Sequence, residues 1–160
     1  PDKYALTICG DGGAYAIGLG ETMAAATRNE NVTFFVMNNT VYGMTGGQMA
    51  PTTMIGQRTT SSKDGRILAD SGENFDVVKI MRGLAIAYLA RTSVTNPANV
   101  AKTKKYVRKA LEKQRDCKGF SLVEVLVPCP TNWGMTPPKS MEYINDVMTK
   151  QYELGEFIDR

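Results

Sequence analysis

Two short apolar runs, each ending in a polar motif, constrain this chain more than any other feature. Tyr4 to Cys9 (YALTIC) runs straight into Gly10-Asp11-Gly12-Gly13, and Val32 to Met37 (VTFFVM) into Asn38-Asn39. Between them, Ala14 to Arg28 is rich in Ala and Gly and predicts a helix. A strand, a glycine turn, a helix and a second strand form a crossover unit. The two strands are then expected to run parallel, with a right-handed connection. Both polar motifs fall at carboxyl ends of neighbouring strands, where open α/β sheets bind ligands.

The residue types suit a hard cation carrying phosphate. Asp11 offers one charged oxygen, an Asn side chain a neutral one, and a backbone carbonyl just beyond the Asn pair a third. Magnesium takes oxygen ligands of this kind, with only one or two carboxylates. Gly12 and Gly13 let a phosphate reach the backbone, and the following helix points free N–H groups at it. Taken alone, the spacing also fits a tight turn with Asp11 as a helix cap and Asn38-Asn39 as a turn after a strand.

Two further segments narrow the choice. Gly-Asp-Gly, twenty-five residues and Asn-Asn resemble the thiamine diphosphate motif. Val41 to Thr53 (VYGMTGGQMAPTT) and Pro128 to Met135 (PCPTNWGM) resemble the beta subunit of 2-oxoacid:ferredoxin oxidoreductases, of the 2-oxoglutarate or branched-chain 2-oxoisovalerate type. The resemblance implies that Asp11, Asn39 and the Val41 carbonyl hold Mg²⁺. It places thiamine diphosphate against Gly10, Asp11, Gly12, Gly13, Asn38 and Asn39, and against a turn of Val41, Tyr42, Gly43, Met44, Thr45, Gly46 and Gln48. Thr45 is the expected catalytic residue, and Thr45 and Gln48 the polar contacts. Cys129 is implied as a [4Fe–4S] ligand in a complete subunit, the other ligands lying upstream in a cysteine-rich segment that this chain, beginning at Pro1, is expected to lack.

The implied reaction is oxidative decarboxylation of a 2-oxoacid to an acyl-coenzyme A and carbon dioxide, with electrons passed to ferredoxin. The implied setting is cytoplasmic, with an alpha subunit, and in some members gamma and delta subunits, completing the site. Alternatives are a thiamine diphosphate-dependent decarboxylase or synthase that needs no ferredoxin, and an isolated non-catalytic domain.

The implied fold is α/β, a mostly parallel sheet of four or five strands with helices on both faces. One hundred and sixty residues suffice for one such domain. The chain has no histidine, which excludes a Ser-His-Asp triad and a His-ligated zinc site. Three cysteines, none in a Cys-x-x-Cys pair, make no disulfide framework. A net charge of +3 does not argue for nucleic acid, and no apolar stretch approaches the length of a membrane span.

Further along, Gln57 to Asn74 reads as a mobile or partner-facing loop, with Arg58, Lys63 and Arg66 as candidate contacts for an acidic partner. Phe75 to Gly83 predicts a short helix and Leu84 to Leu89 a third strand, with Arg91 beyond it in a surface ion pair. Asn96-Pro97 starts a basic helix running to Arg115, expected to be a solvated outer helix. Phe120 to Val127 predicts a fourth strand, where Glu124 marks an edge, an interface or a buried ion pair. Lys139 to Gln151 predicts a helix, and Tyr152 to Arg160 a tail packing on another subunit. Gly20, in the first helix, is expected to serve close packing.

Overall fold

A computed structural model describes residues 3–160. Its centre is a five-stranded sheet in the order β1-β2-β6-β5-β7. β1 (Leu6–Gly10), β2 (Thr33–Asn38), β5 (Tyr88–Ser93) and β6 (Ser121–Leu126) are parallel, and β7 (Gly155–Asp159) closes one edge antiparallel to β5. A separate two-stranded hairpin, β3 (Val41–Tyr42) with β4 (Gln48–Met49), follows β2.

Strand alternation sends each residue set to its own helical layer. Val36, Leu89 and Leu122 face a core made with α1 (Leu19–Thr27) and α3 (Val77–Met81). Phe35, Tyr88, Ala90, Val123 and Val125 face Tyr106, Val107, Ala110 and Leu111 of α4 (Pro97–Arg115). Helices therefore cover both faces, as the sequence implied. α4 starts as expected: the Asn96 side chain accepts the Asn99 N–H at 2.9 Å, and Pro97 occupies the first turn, where its missing N–H costs nothing.

The π-helical turn Gly13–Ile17 joins the glycine motif to α1. Close approach there belongs to Gly18, where a Cβ would stand 2.5 Å from the Gly13 carbonyl oxygen. Gly20 is exposed, and a Cβ on it would meet nothing within 4 Å, so its expected packing role does not hold.

Four further expectations are corrected. The third strand begins at Tyr88 rather than Leu84, because the apolar run that suggested it is mostly the approach to the strand; the strand itself carries Arg91, Thr92 and Ser93, all buried. Arg91 is accordingly in the sheet interior, not on the surface. The segment from Gln57 to Asn74, which carries α2 (Leu68–Ser71), is folded around Arg66, which is 6% exposed. Its guanidinium donates to the carbonyls of Pro51 (2.7 Å), Thr53 (3.0 Å), Ser71 (2.8 Å), Gly72 (3.1 Å) and Glu73 (2.8 Å). Arg66 is thus unavailable to an acidic partner. The C-terminal residues form β7 on this chain's own sheet instead of a tail on another subunit.

The C-terminal helical stretch runs through α6 (Pro137–Tyr143), a π-helical turn (Ile144–Met148) and α7 (Thr149–Gln151). It packs Ile144, Met148 and Tyr152 against Leu126 and Met54. Among the described residues no helix is long and apolar enough to cross a membrane.

Candidate functional site

Three adjacent strands deliver the site. β1 ends at Gly10 with Asp11 next, β2 ends at Asn38 with Asn39 next, and β6 feeds Pro128 to Asn132. These ends and the β3–β4 hairpin enclose a cleft of about 750 Å³. Its walls include Asp11, Gly12, Gly13, Asn39, Val41 and Cys129. Gly10, Tyr42, Gly43, Met44 and Thr45 line it as well. Gly46 and Gln48 are outside these walls. Gln48 and Thr45 instead bond each other across the hairpin turn, hydroxyl to amide oxygen at 2.7 Å and amide N–H to backbone carbonyl at 2.8 Å.

Asp11 is 2% exposed. Its Oδ2 accepts a hydrogen bond from the Thr52 hydroxyl. Burial pushes its carboxyl up to about 6 from the ordinary 3.8; the Thr52 bond pulls it back and Glu124 pushes it further up. Burial, and then Asp11, also raises the neighbouring Cys9 thiol. A buried carboxylate is stable when charge or hydrogen bonds compensate it; the Thr52 hydroxyl and the backbone N–H groups of Asp11 and Gly12 do so only in part, since the carboxyl stays raised.

Asp11 and the glycine backbone form one jaw of the cleft, and the second, after β2, is a fixed turn. Asn38 is fully buried, and its Oδ1 accepts the Thr40 N–H at 3.0 Å while its Nδ2 donates to Glu124 Oε1 at 3.1 Å. With both ends of its side chain used inside the protein, Asn38 supports the turn, and Asn39 is the amide of the pair that lines the cleft. Thr40 sits at φ +63°, a left-handed conformation that a β-branched residue adopts only when held. Gln57 donates to its hydroxyl at 2.7 Å and Thr53 to its carbonyl at 2.5 Å. Asn39 Oδ1 accepts the Val41 N–H at 3.2 Å and keeps a second lone pair.

Beneath this turn lies a buried charge cluster. Arg91 pairs with Glu124, its register neighbour on β6, and with Asp76, the N-cap of α3. Burial pulls the Arg91 guanidinium down, but Glu124 and Asp76 outweigh it and raise it overall. Asp11, Asp76 and Glu124 thus set three buried carboxylates against one guanidinium, an imbalance that a cation at Asp11 would reduce.

Sequence reasoning gave no individual role to two residues that tie the walls together. Trp133 Nε1 donates to the Asn39 carbonyl at 3.2 Å, and Asn132 Nδ2 donates to the Gly43 carbonyl at 3.0 Å. The Pro128 to Met135 segment, which forms α5 (Pro130–Trp133), therefore ties the β6 loop to the second jaw and the hairpin. Asn132 also donates to Cys129 Sγ at 3.1 Å. Their signal was present, since both lie inside a quoted motif, but no periodicity reveals which backbone groups they grip.

The donor set fits magnesium with a phosphate: one carboxylate, one amide oxygen, one backbone carbonyl, and bare glycine backbone beside them. Gly12 shows why glycine is needed, since a Cβ there would collide with the Tyr42 ring. An iron–sulfur cluster does not fit these residues alone. It requires four thiolates, and among the described residues no three of His, Cys, Asp and Glu come together to hold a metal.

Comparison with known proteins agrees with this geometry. The chain is 42% identical over 156 residues to the ketoisovalerate oxidoreductase subunit VorA of Methanothermobacter marburgensis, covering 97% of this chain and 33% of that protein. It is 34% identical over 146 residues to the 2-oxoglutarate synthase subunit KorB of Archaeoglobus fulgidus, covering 91% and 51%. The chain thus spans a third to a half of these relatives. Its fold matches a solved 2-oxoglutarate:ferredoxin oxidoreductase from Magnetococcus marinus, with a TM-score of 0.67 and 20% identity, over 94% of this chain and 55% of that one. Residues 1–125 match the family described as thiamine pyrophosphate enzyme, C-terminal TPP binding domain, and the chain belongs to that family.

Proposed function

We propose that this chain is the thiamine diphosphate- and magnesium-binding portion of the beta subunit of a 2-oxoacid:ferredoxin oxidoreductase. The observation that carries the reading is the convergence of Asp11, Asn39 and Val41 on one cleft, beside glycine backbone and the Pro128 to Asn132 loop. Asp11, Asn39 Oδ1 and the Val41 carbonyl would hold Mg²⁺, and Gly12 and Gly13 would lie against the diphosphate. When bound, thiamine diphosphate supplies the stabilised carbanion on which a 2-oxoacid loses carbon dioxide.

This chain's residues then bind and orient. The fixed turn at Thr40 presets two oxygens, and the hairpin from Tyr42 to Gln48 walls the cleft. Thr45 is exposed on that hairpin and lines the cleft, and would be the polar side chain to meet the cofactor. Met44 and Ile17 are the most exposed large apolar side chains among the described residues, which supports a covering alpha subunit. Coenzyme A and ferredoxin would be met in that complete, cytoplasmic assembly. Cys129 is one thiolate for a [4Fe–4S] cluster, and the other three would come from elsewhere in the intact protein.

A branched-chain 2-oxoacid is proposed ahead of 2-oxoglutarate. The higher identity to a ketoisovalerate subunit supports it. So do the apolar wall residues Val41, Met44, Pro128 and Pro130. The test is to isolate the intact protein without oxygen, together with its partner subunits. Bound thiamine diphosphate and Mg²⁺, with viologen reduction that needs a 2-oxoacid and coenzyme A, supports the reading. A colourless complex that binds the cofactor but reduces no acceptor points to the decarboxylase or synthase alternative.

A further inference from the structure

We infer that Thr52 is a positioning residue of the metal clamp, its hydroxyl holding one oxygen of Asp11 so that the other is left for the cation. This rests on the reading of Asp11 as a magnesium ligand. The Pro51-Thr52-Thr53 segment closes the Val41 to Thr53 motif, within which sequence reasoning assigned these three residues no individual role. In the structure its two hydroxyls serve the two jaws. Thr52 donates to Asp11 Oδ2, and Thr53 donates to the Thr40 carbonyl, between the two other expected ligands.

Thr52 is itself gripped from several sides. Its carbonyl accepts the Tyr152 hydroxyl at 2.5 Å, and that hydroxyl accepts Asn74 Nδ2 at 2.8 Å. Arg66 holds the carbonyls on either side, Pro51 and Thr53, and the Phe75 N–H also donates to Pro51 at 2.8 Å. Thr53 Oγ1 accepts the Ala50 N–H at 2.9 Å. Thr52 and Thr53 are both fully buried. A hydroxyl has a single proton to donate, and this backbone fixes where Thr52 spends it. The long loop is therefore a brace that sets the distance between the jaws, with Arg66 as its clip. Partners that orient metal ligands typically influence metal affinity by about 10–100-fold.

The test is a calorimetric Mg²⁺ titration of the intact protein at saturating thiamine diphosphate, with thermal melts of the metal-free protein alongside. Thr52→Val removes the hydroxyl at nearly constant shape, Thr52→Ser retains it, and Thr52→Ala removes it with the least bulk. The expected result is Mg²⁺ binding weakened about 10–100-fold in T52V, with T52S restoring wild-type binding. Wild-type Mg²⁺ affinity in a folded T52V overturns the inference and leaves the functional reading intact. If T52V does not fold, T52A against T52S decides: clearly weaker binding in T52A supports the role, and equal binding overturns it. Wild-type protein that binds neither Mg²⁺ nor thiamine diphosphate overturns the functional reading, and this inference with it.

Discussion

Arg91 and Glu124 stand opposite each other on adjacent central strands, each 1% exposed, and the Arg91 guanidinium turns a second nitrogen to Asp76. Glu124 in turn accepts Asn38. The ion pair therefore reaches the turn that carries Asn39, and the second jaw rests on the middle of the sheet.

Removing the cation from this cluster leaves two carboxylates buried without a countercharge. Arg91→Met is expected to lower stability by about 3–5 kcal/mol. Urea unfolding of the metal-free protein measures it. A loss below about 1 kcal/mol would mean that water reaches the cluster and that the pair is dispensable.

Arg66→Met removes the clip from the loop between Pro51 and Asn74. Amide hydrogen exchange across that segment should rise by at least about tenfold, while the central strands stay protected. Mg²⁺-dependent cofactor binding should weaken with it, because Thr52 loses its frame. Unchanged exchange in the loop would contradict the brace.

Two glycines should respond in opposite directions. Gly47 sits at φ +80°, and a Cβ on it would stand 2.9 Å from Asn132 Oδ1. Gly47→Ala is expected to cost about 1–2 kcal/mol from backbone conformation alone, and to part the hairpin from α5. Gly20→Ala meets open space in α1 and should stabilise by about 0.5–1 kcal/mol. Melting temperatures of the two variants decide both points.

At the far edge of the sheet, Lys109 and Lys113 hold Asp159 at 2.8 and 2.6 Å. Hydrogen bonds from these two lysines depress the Asp159 carboxyl to about 2 from 3.8. A depressed carboxylate contributes stability above its ordinary pKa and loses it as pH falls toward the folded value. Asp159 is about a third exposed, so solvent screening limits the contribution to about 1 kcal/mol or less. Asp159→Asn should remove that much at pH 6 and flatten the stability profile between pH 4 and 2. An identical acid profile in the variant would assign the acid sensitivity elsewhere.

The strand, glycine turn, helix and strand at the start were legible because apolar runs end where the polar motifs begin. α4 was legible through Asn96, Pro97 and its charge pattern. Arg91 was not, because a charged residue in isolation reads as solvated, and only the register opposite Glu124 makes burial stable. β7 was missed for a similar reason: Gly155 to Asp159 has acidic residues that look exposed until Lys109 and Lys113 are placed over them. Arg66 was hidden because backbone carbonyls, its partners among the described residues, carry no sequence signal. Within the cleft the glycines, Asp11 and Asn39 were readable as chemistry, whereas Asn38 was separated from Asn39 only by the direction of its side chain.

The two jaws differ in readiness. The turn at Thr40 is overdetermined by its hydrogen bonds, so it has no folding step left to perform when a ligand arrives. Over the glycine backbone, by contrast, stands the Tyr42 ring, in contact range of Gly12. That side of the cleft is shaped by contact with one partly exposed aromatic side chain, whose rotamer changes on a side-chain rather than a loop timescale. The two sides of the cleft should therefore answer differently to substitution, the turn being held by several hydrogen bonds and the glycine side by contact with one ring.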